Sequence, residues 1–120
     1  MTARLYVIHH LRSTGDARRT EGRYAEAERL YVEALKLAEE TVGPDHLETS
    51  VICNNLAVLY KYMGRFDQAE HLYRRALVIT EKVLGPDHTQ VATIYHNLEI
   101  NPHAMVADVS GRPTPSSWSA

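Results

Sequence analysis

The sequence predicts an all-α protein of antiparallel helix-turn-helix units repeated along the chain. Three observations predict it. Gly22-Arg23-Tyr24 recurs as Gly64-Arg65-Phe66, and Gly43-Pro44-Asp45-His46 recurs as Gly85-Pro86-Asp87-His88, both at an offset of 42 residues. Between these punctuation marks, small and apolar residues recur in steps of three and four, the signature of one buried helix face. When Gly22–Val58 is laid over Gly64–Ile100, 16 of 37 positions are identical, against roughly two or three expected from average composition. Several of the differences are mild, such as Tyr24 for Phe66, Leu37 for Ile79 and Val42 for Leu84.

Each element follows from its own residues. Residues 1–22 form the first helix of the first unit, with weaker patterning than its later counterparts. The second helix and its turn occupy 23–46, with Tyr24, Ala27, Tyr31, Ala34, Leu35, Ala38 and Val42 on one face. Glu26, Arg29, Glu33 and Lys36 fall on the other and read as solvated surface. A complete central unit spans 47–88. Its first helix, about Leu47–Met63, carries Val51, Ile52, Leu56, Ala57, Leu59 and Tyr60, and Gly64 makes the tight turn that follows. Its second helix, Phe66–Leu84, repeats the face as Phe66, Ala69, Tyr73, Ala76, Leu77, Thr80 and Leu84.

Gly43-Pro44 and Gly85-Pro86 close the longer helices, since glycine accepts a left-handed conformation and proline cannot continue a helix. Asp45 with Glu48, and Asp87 with Gln90, have the spacing of a reciprocal capping box. Capping therefore accounts for the two Asp-His pairs better than a metal or catalytic reading. His46 and His88 are then expected in the first helical turn, exposed. Residues 89–100 form the first helix of a truncated third unit. In the tail, 101–120, Gly111-Arg112-Pro113-Thr114-Pro115-Ser116-Ser117-Trp118 has the composition of a disordered segment.

Composition narrows the function. The chain has 120 residues and a formal net charge of −2, so bulk electrostatics point to neither nucleic acid nor an anionic membrane. Seven of its nine aromatic residues are tyrosines, which suits packing that buries a ring and leaves its hydroxyl at a polar edge. The single cysteine, Cys53, excludes an intrachain disulfide and a Cys-rich zinc site. It falls where core packing explains it better than nucleophilic use. No run of apolar residues is long enough for a transmembrane helix, and the apolar run at the start is too short for a signal peptide. The expected compartment is the cytoplasm. No nucleophile elbow, phosphate loop or His-Glu-x-x-His motif is present, so no enzyme activity, cofactor or metal is expected.

The residues Leu56, Ala57, Tyr60, Ala69, Tyr73 and Ala76, with the runs Asn54–Tyr60 and Leu84–His88, resemble the tetratricopeptide repeat family. The 42-residue period is similar to that of kinesin light chain-type repeats. The resemblance covers roughly residues 8–100. It implies a short right-handed α-solenoid of about two and a half units. Ala57 and Ala69 would be the close contacts between paired helices, with Tyr73 filling the space they leave. The first unit departs from the pattern at Thr14 and Arg18, which stand where Leu56 and Tyr60 stand later. This is either a polar capping helix or a decayed repeat. After Leu98, Glu99 and Pro102 break the pattern.

The resemblance further implies a protein-interaction scaffold or adaptor, with the first helix of each unit lining a concave groove. The groove residues would be Arg12, Asp16 and Arg19, with His9 and Ser13, in the first unit. In the second they would be Val51, Asn54, Asn55, Val58 and Lys61, with Tyr62 close by. In the third they would be Thr93, His96 and Asn97. Asn55 and Asn97 either pair with the backbone of an extended peptide or bridge neighbouring helices. Arg12, Arg19 and Lys61 either meet an acidic ligand or stand as solvated surface. The partner would be a protein or peptide. The alternative is a structural slice of a longer array that self-associates through exposed repeat ends.

Overall fold

The computed structural model describes residues 2–99. Five helices follow one another: α1 (Ala3–Thr20), α2 (Tyr24–Thr41), α3 (Leu47–Tyr62), α4 (Phe66–Leu84) and α5 (Thr89–Glu99). Helices α1 and α2 pair, α3 and α4 pair, and the pairs stack through α2 on α3 and α4 on α5. This is the all-α helical repeat solenoid that the periodicity predicts. The expected tail, including Trp118, lies outside the described residues.

The turn within each pair is the same structure twice. Arg23 N–H donates to Arg18 O at 2.8 Å and Gly22 N–H to Arg19 O at 3.0 Å; Arg65 N–H donates to Tyr60 O at 2.8 Å and Gly64 N–H to Lys61 O at 3.1 Å. These closing bonds satisfy carbonyls that the helix end leaves free. They require φ of +80° at Gly22 and +77° at Gly64, a conformation that side chains resist.

The turn between pairs corrects one expectation. The helix caps are His46 and His88, not Asp45 and Asp87. The Nδ1 of His46 accepts from Glu48 N–H at 3.0 Å, and that of His88 from Gln90 N–H at 3.1 Å. Imidazole can cap in this way because an unprotonated ring nitrogen is an acceptor. Asp45 instead pairs with Lys82 at 3.4 Å. Both histidines are exposed.

Interlocking follows the small-and-large pattern. Ala27, Ala34, Ala38, Ala57, Ala69 and Ala76 are all fully buried, and Tyr31 and Tyr73 fill the space between them. In α1 the small residue is Gly15, whose missing Cβ would lie 2.8 Å from Tyr31 Cε1. Two core clusters result. One joins Ala27 and Tyr31 to Cys53, Leu56, Ala57, Tyr73, Val91 and Leu98; the other holds Ile8, Ala34, Ala38 and Ile52. Cys53 is buried, and that burial pushes its thiol up to about 11, so it is an inert packing residue.

Charged residues on, or at the start of, the second helices tie successive units together. Arg75 meets Glu39 at 2.7 Å and Arg65 meets Glu28 at 3.0 Å. The Tyr60 hydroxyl also donates to Glu28, at 2.8 Å. Leu56 and Tyr60 are buried, Leu56 in the core with Ala27 and Tyr31. Their counterparts in α1, Thr14 and Arg18, have no earlier pair to meet among the described residues. Arg18 turns instead to Glu21 at 2.9 Å and Glu26 at 3.3 Å.

Candidate functional site

Helix α3 is packed from both sides, yet it keeps one open stripe. Its buried residues are Thr49, Ser50, Ile52, Cys53, Leu56, Ala57, Leu59 and Tyr60. Val51, Asn54, Asn55, Val58 and Lys61 are half-buried. Steps of three and four put these five on one line along the helix. The corresponding stripe of α1 has His9, Arg12, Asp16 and Arg19 half-buried and Ser13 exposed, and that of α5 has Thr93 and His96 exposed and Asn97 half-buried. None of the expected groove residues is lost to the core.

Polar bonds cross this surface from unit to unit. Asn55 Nδ2 donates to Asp16 Oδ1 at 3.1 Å, joining α3 to α1. Asn97 Nδ2 donates to Asn54 Oδ1 at 3.4 Å, joining α5 to α3. Both asparagines therefore bridge helices. Glu48 receives His9 Nε2 at 2.9 Å and Arg12 Nε at 3.3 Å. Arg12 is thus already neutralised by a carboxylate, whereas Arg19 has Asp16 at 3.8 Å. Lys61 lies over the Tyr62 ring, 5.7 Å from its centroid, a cation–π arrangement.

Asp16 is the busiest of these groups. Besides Asn55 and Arg19, it accepts a hydrogen bond from the Tyr31 hydroxyl. Burial, and then this bond and the charge of Asp16, hold the Tyr31 phenol far above its usual range. Tyr73 sits 42 residues later, and the residue in the place of Asp16 is Val58. The Tyr73 hydroxyl is buried without a hydrogen-bond partner among the described residues. Its phenol is also raised, by burial first, so it remains a neutral donor.

Two hollows indent the groove. One is lined by Ser50, Val51, Asn54, Thr80, Gln90, Thr93 and Ile94, between α3 and α5. The other is lined by Arg19, Thr20, Tyr24 and Tyr62, at the junction of the first two units. The structure thus brings Asp16 to Asn55 and Asn54 to Asn97. Val51 and Thr93 line a shared hollow, and Thr93 Oγ1 bonds Thr89 O in its own helix. Val58, Lys61 and His96 make no polar bridge to another expected groove residue. Sequence reasoning missed the roles of Glu48 and of the two tyrosine hydroxyls. The exchange of Asp16 for Val58 at one repeat's offset was the available signal. Among the described residues, no group of three or more His, Cys, Asp or Glu could hold a metal ion, and no helix is long and apolar enough to cross a membrane.

Comparison with known proteins gives the same repeat. A family model described as tetratricopeptide repeat matches residues 7–82 and again 50–103. Among solved structures, the crystal structure of BtubC (BKLC) from P. vanneervenii is similar, with a TM-score of 0.79 and 25% identity. The likeness covers 86% of this chain and 41% of that one, so the chain spans less than half that protein's length. No curated protein matches the chain.

Proposed function

We propose that this chain, which belongs to the tetratricopeptide repeat family, is an interaction module whose concave groove takes a short extended peptide from a protein partner. Family and fold make it a protein-interaction scaffold in general terms. The open stripe of α3 carries the finer reading. A helix wedged between two neighbours would gain most by burying every apolar side chain, yet Val51 and Val58 stay half-open beside Asn54, Asn55 and Lys61. Such a mixture of apolar contacts and adaptable amide and ammonium donors suits a peptide backbone with an acidic residue.

The asparagines have a double part. Bound to Asp16 and Asn54, they fix the spacing of the helices and leave further lone pairs and N–H groups for a ligand. No catalytic role is part of this reading. Self-association through the repeat ends is the rival account. It is disfavoured at the first unit, where the outward-facing Thr14, Arg18 and Glu26 are polar and Arg18 is paired with two glutamates; apolar stacking would have to desolvate those charges.

A random-peptide display selection against the purified chain tests the groove. Selected peptides should bind the native protein and lose roughly tenfold in affinity on Lys61→Glu. Val78→Asp, on the exposed side of α4, should change nothing. Peptides that ignore Lys61→Glu and respond to Val78→Asp would refute the groove. A concentration-dependent oligomer in light scattering, with no selectable peptide, would favour self-association instead.

A further inference from the structure

Each unit has a face turned toward the start of the chain, and in the second unit α2 covers it. Ile52 packs there with Ala34 and Ala38. Tyr60 and Arg65 take Glu28 at 2.8 and 3.0 Å, and Arg75 takes Glu39 at 2.7 Å. Counting back 42 residues, the first unit has His10, Arg18, Arg23 and Glu33 in the places of Ile52, Tyr60, Arg65 and Arg75. Its face is open among the described residues: His10 and Ala17 are exposed, where Ile52 and Leu59 are fully buried. A hollow in it is lined by Thr14, Arg18, Glu26, Arg29, Leu30 and Glu33. One turn earlier on α1, His10 stacks with Tyr6, which is 67% exposed, and Val7 is exposed as well.

The charges of the two faces agree at one end and are reversed at the other. The corner that receives Glu28 in the second unit stays basic in the first, as Arg18 and Arg23. Arg23 meets Glu21 and Glu26 only at 3.6 and 3.8 Å, weak contacts between exposed groups that leave it free to turn to an incoming acid. At the other end Glu33 stands where Arg75 receives Glu39, exposed and without an ion pair among the described residues. Glu28 and Glu39 are eleven residues apart, about three helical turns, so both fall on one stripe. The chain's own second helices carry glutamate at both places, Glu28 with Glu39 and Glu70 with Glu81. A second copy docked in this way would set a glutamate against Glu33, a like-charge contact that rejects it. We propose that this face is a second interaction surface, separate from the groove, which takes an amphipathic helix of a partner protein carrying an acidic residue and, eleven residues further on, a basic one. The partner helix lies against the first unit as α2 lies against the second. Its apolar side covers Val7 and the Tyr6 ring, and its two charges offset the desolvation that an apolar helix would leave uncompensated.

A charge exchange between probe and protein tests the surface. The probe is a lactam-bridged helix with the α2 sequence, residues 24–41, carrying Glu39→Lys; the control is the same helix with Glu39 retained. Circular dichroism establishes that both are helical before use. In NMR titrations of the native chain, the Glu39→Lys helix should shift Tyr6 and Val7 saturably and leave Val78, on the exposed side of α4, unmoved. The control should bind roughly tenfold more weakly, and high salt should narrow the gap. Glu33→Lys on the protein, an exposed substitution whose fold is checked in the same spectra, should reverse the order of the two helices. Helices that bind alike, that keep their order on Glu33→Lys, or that shift Val78 and not Tyr6 would overturn the surface. So would the absence of binding by either.

Discussion

Tyr31 and Tyr73 hold the same position in successive units, and each fills the gap between paired helices. Their rings do the same work and are both fully buried. Their hydroxyls differ. That of Tyr31 donates to Asp16, which also ties α1 to α3 through Asn55. That of Tyr73 is buried and has no hydrogen-bond partner among the described residues. One substitution between repeats, Asp16 against Val58, accounts for the difference. A repeat can therefore keep its packing and vary its polar wiring. The first unit commits its acceptor to internal order, and the second leaves its donor buried and unpaired.

Changing Asp16 should break this comparison most severely. Asp16→Val installs the second unit's residue in the first, and the Tyr31 hydroxyl and the Asn55 amide both lose their acceptor. The expected loss is about 3 kcal/mol, measured by urea denaturation; a loss under about 1 kcal/mol would show that the network adds little. Gly15→Ala comes next. The new Cβ would stand 2.8 and 2.9 Å from two atoms of the Tyr31 ring. Overpacking of about 1–3 kcal/mol, less about 1 kcal/mol of improved helix propensity, predicts a net loss of about 1–2 kcal/mol. An unchanged midpoint would mean that the ring has room to move.

The two phenylalanine variants sharpen the contrast directly. Tyr31→Phe removes a made bond and should cost about 1 kcal/mol, whereas Tyr73→Phe removes an unmade one and should be neutral or slightly stabilising. Equal losses for the pair, in the same denaturation experiment, would contradict the distinction. The smallest stability change is expected for Val58→Asp, within about 1 kcal/mol. It gives Tyr73 the acceptor that Tyr31 enjoys. The same denaturation experiment measures it, and a loss well above about 1 kcal/mol would show that the new carboxylate finds no donor there.

Much of the fold was legible because the repeat carries its own punctuation. Gly22 and Gly64 mark the tight turns, and the alanines at 27, 57, 69 and 76 mark the close contacts. The caps were not legible. Asp45 precedes Glu48 by three residues and His46 precedes it by two, so the spacing suits either an aspartate box or an imidazole acceptor, and only the placement of Nδ1 decides between them. The open stripe could be anticipated from the family resemblance, which implies that the first helix of each unit lines a groove. Its bonds could not, because Asn55 reaches 39 residues back to Asp16 while Asn97 reaches 43 back to Asn54. Neither distance is the 42 of the repeat. Each depends on how one unit is rotated on the next, which the pattern within a unit does not encode. Whether a tyrosine hydroxyl finds a partner depends on the same rotation.

The central claim is that a partner lies against α3 on its open side. A photo-crosslinking residue placed at Val58, on that stripe, and in a separate protein at Val78, on the exposed side of α4, tests it most directly. Irradiation with a display-selected peptide, followed by mass spectrometry, should give an adduct from position 58 and none from position 78. Adducts from position 78 alone, or equally from both, would contradict the account.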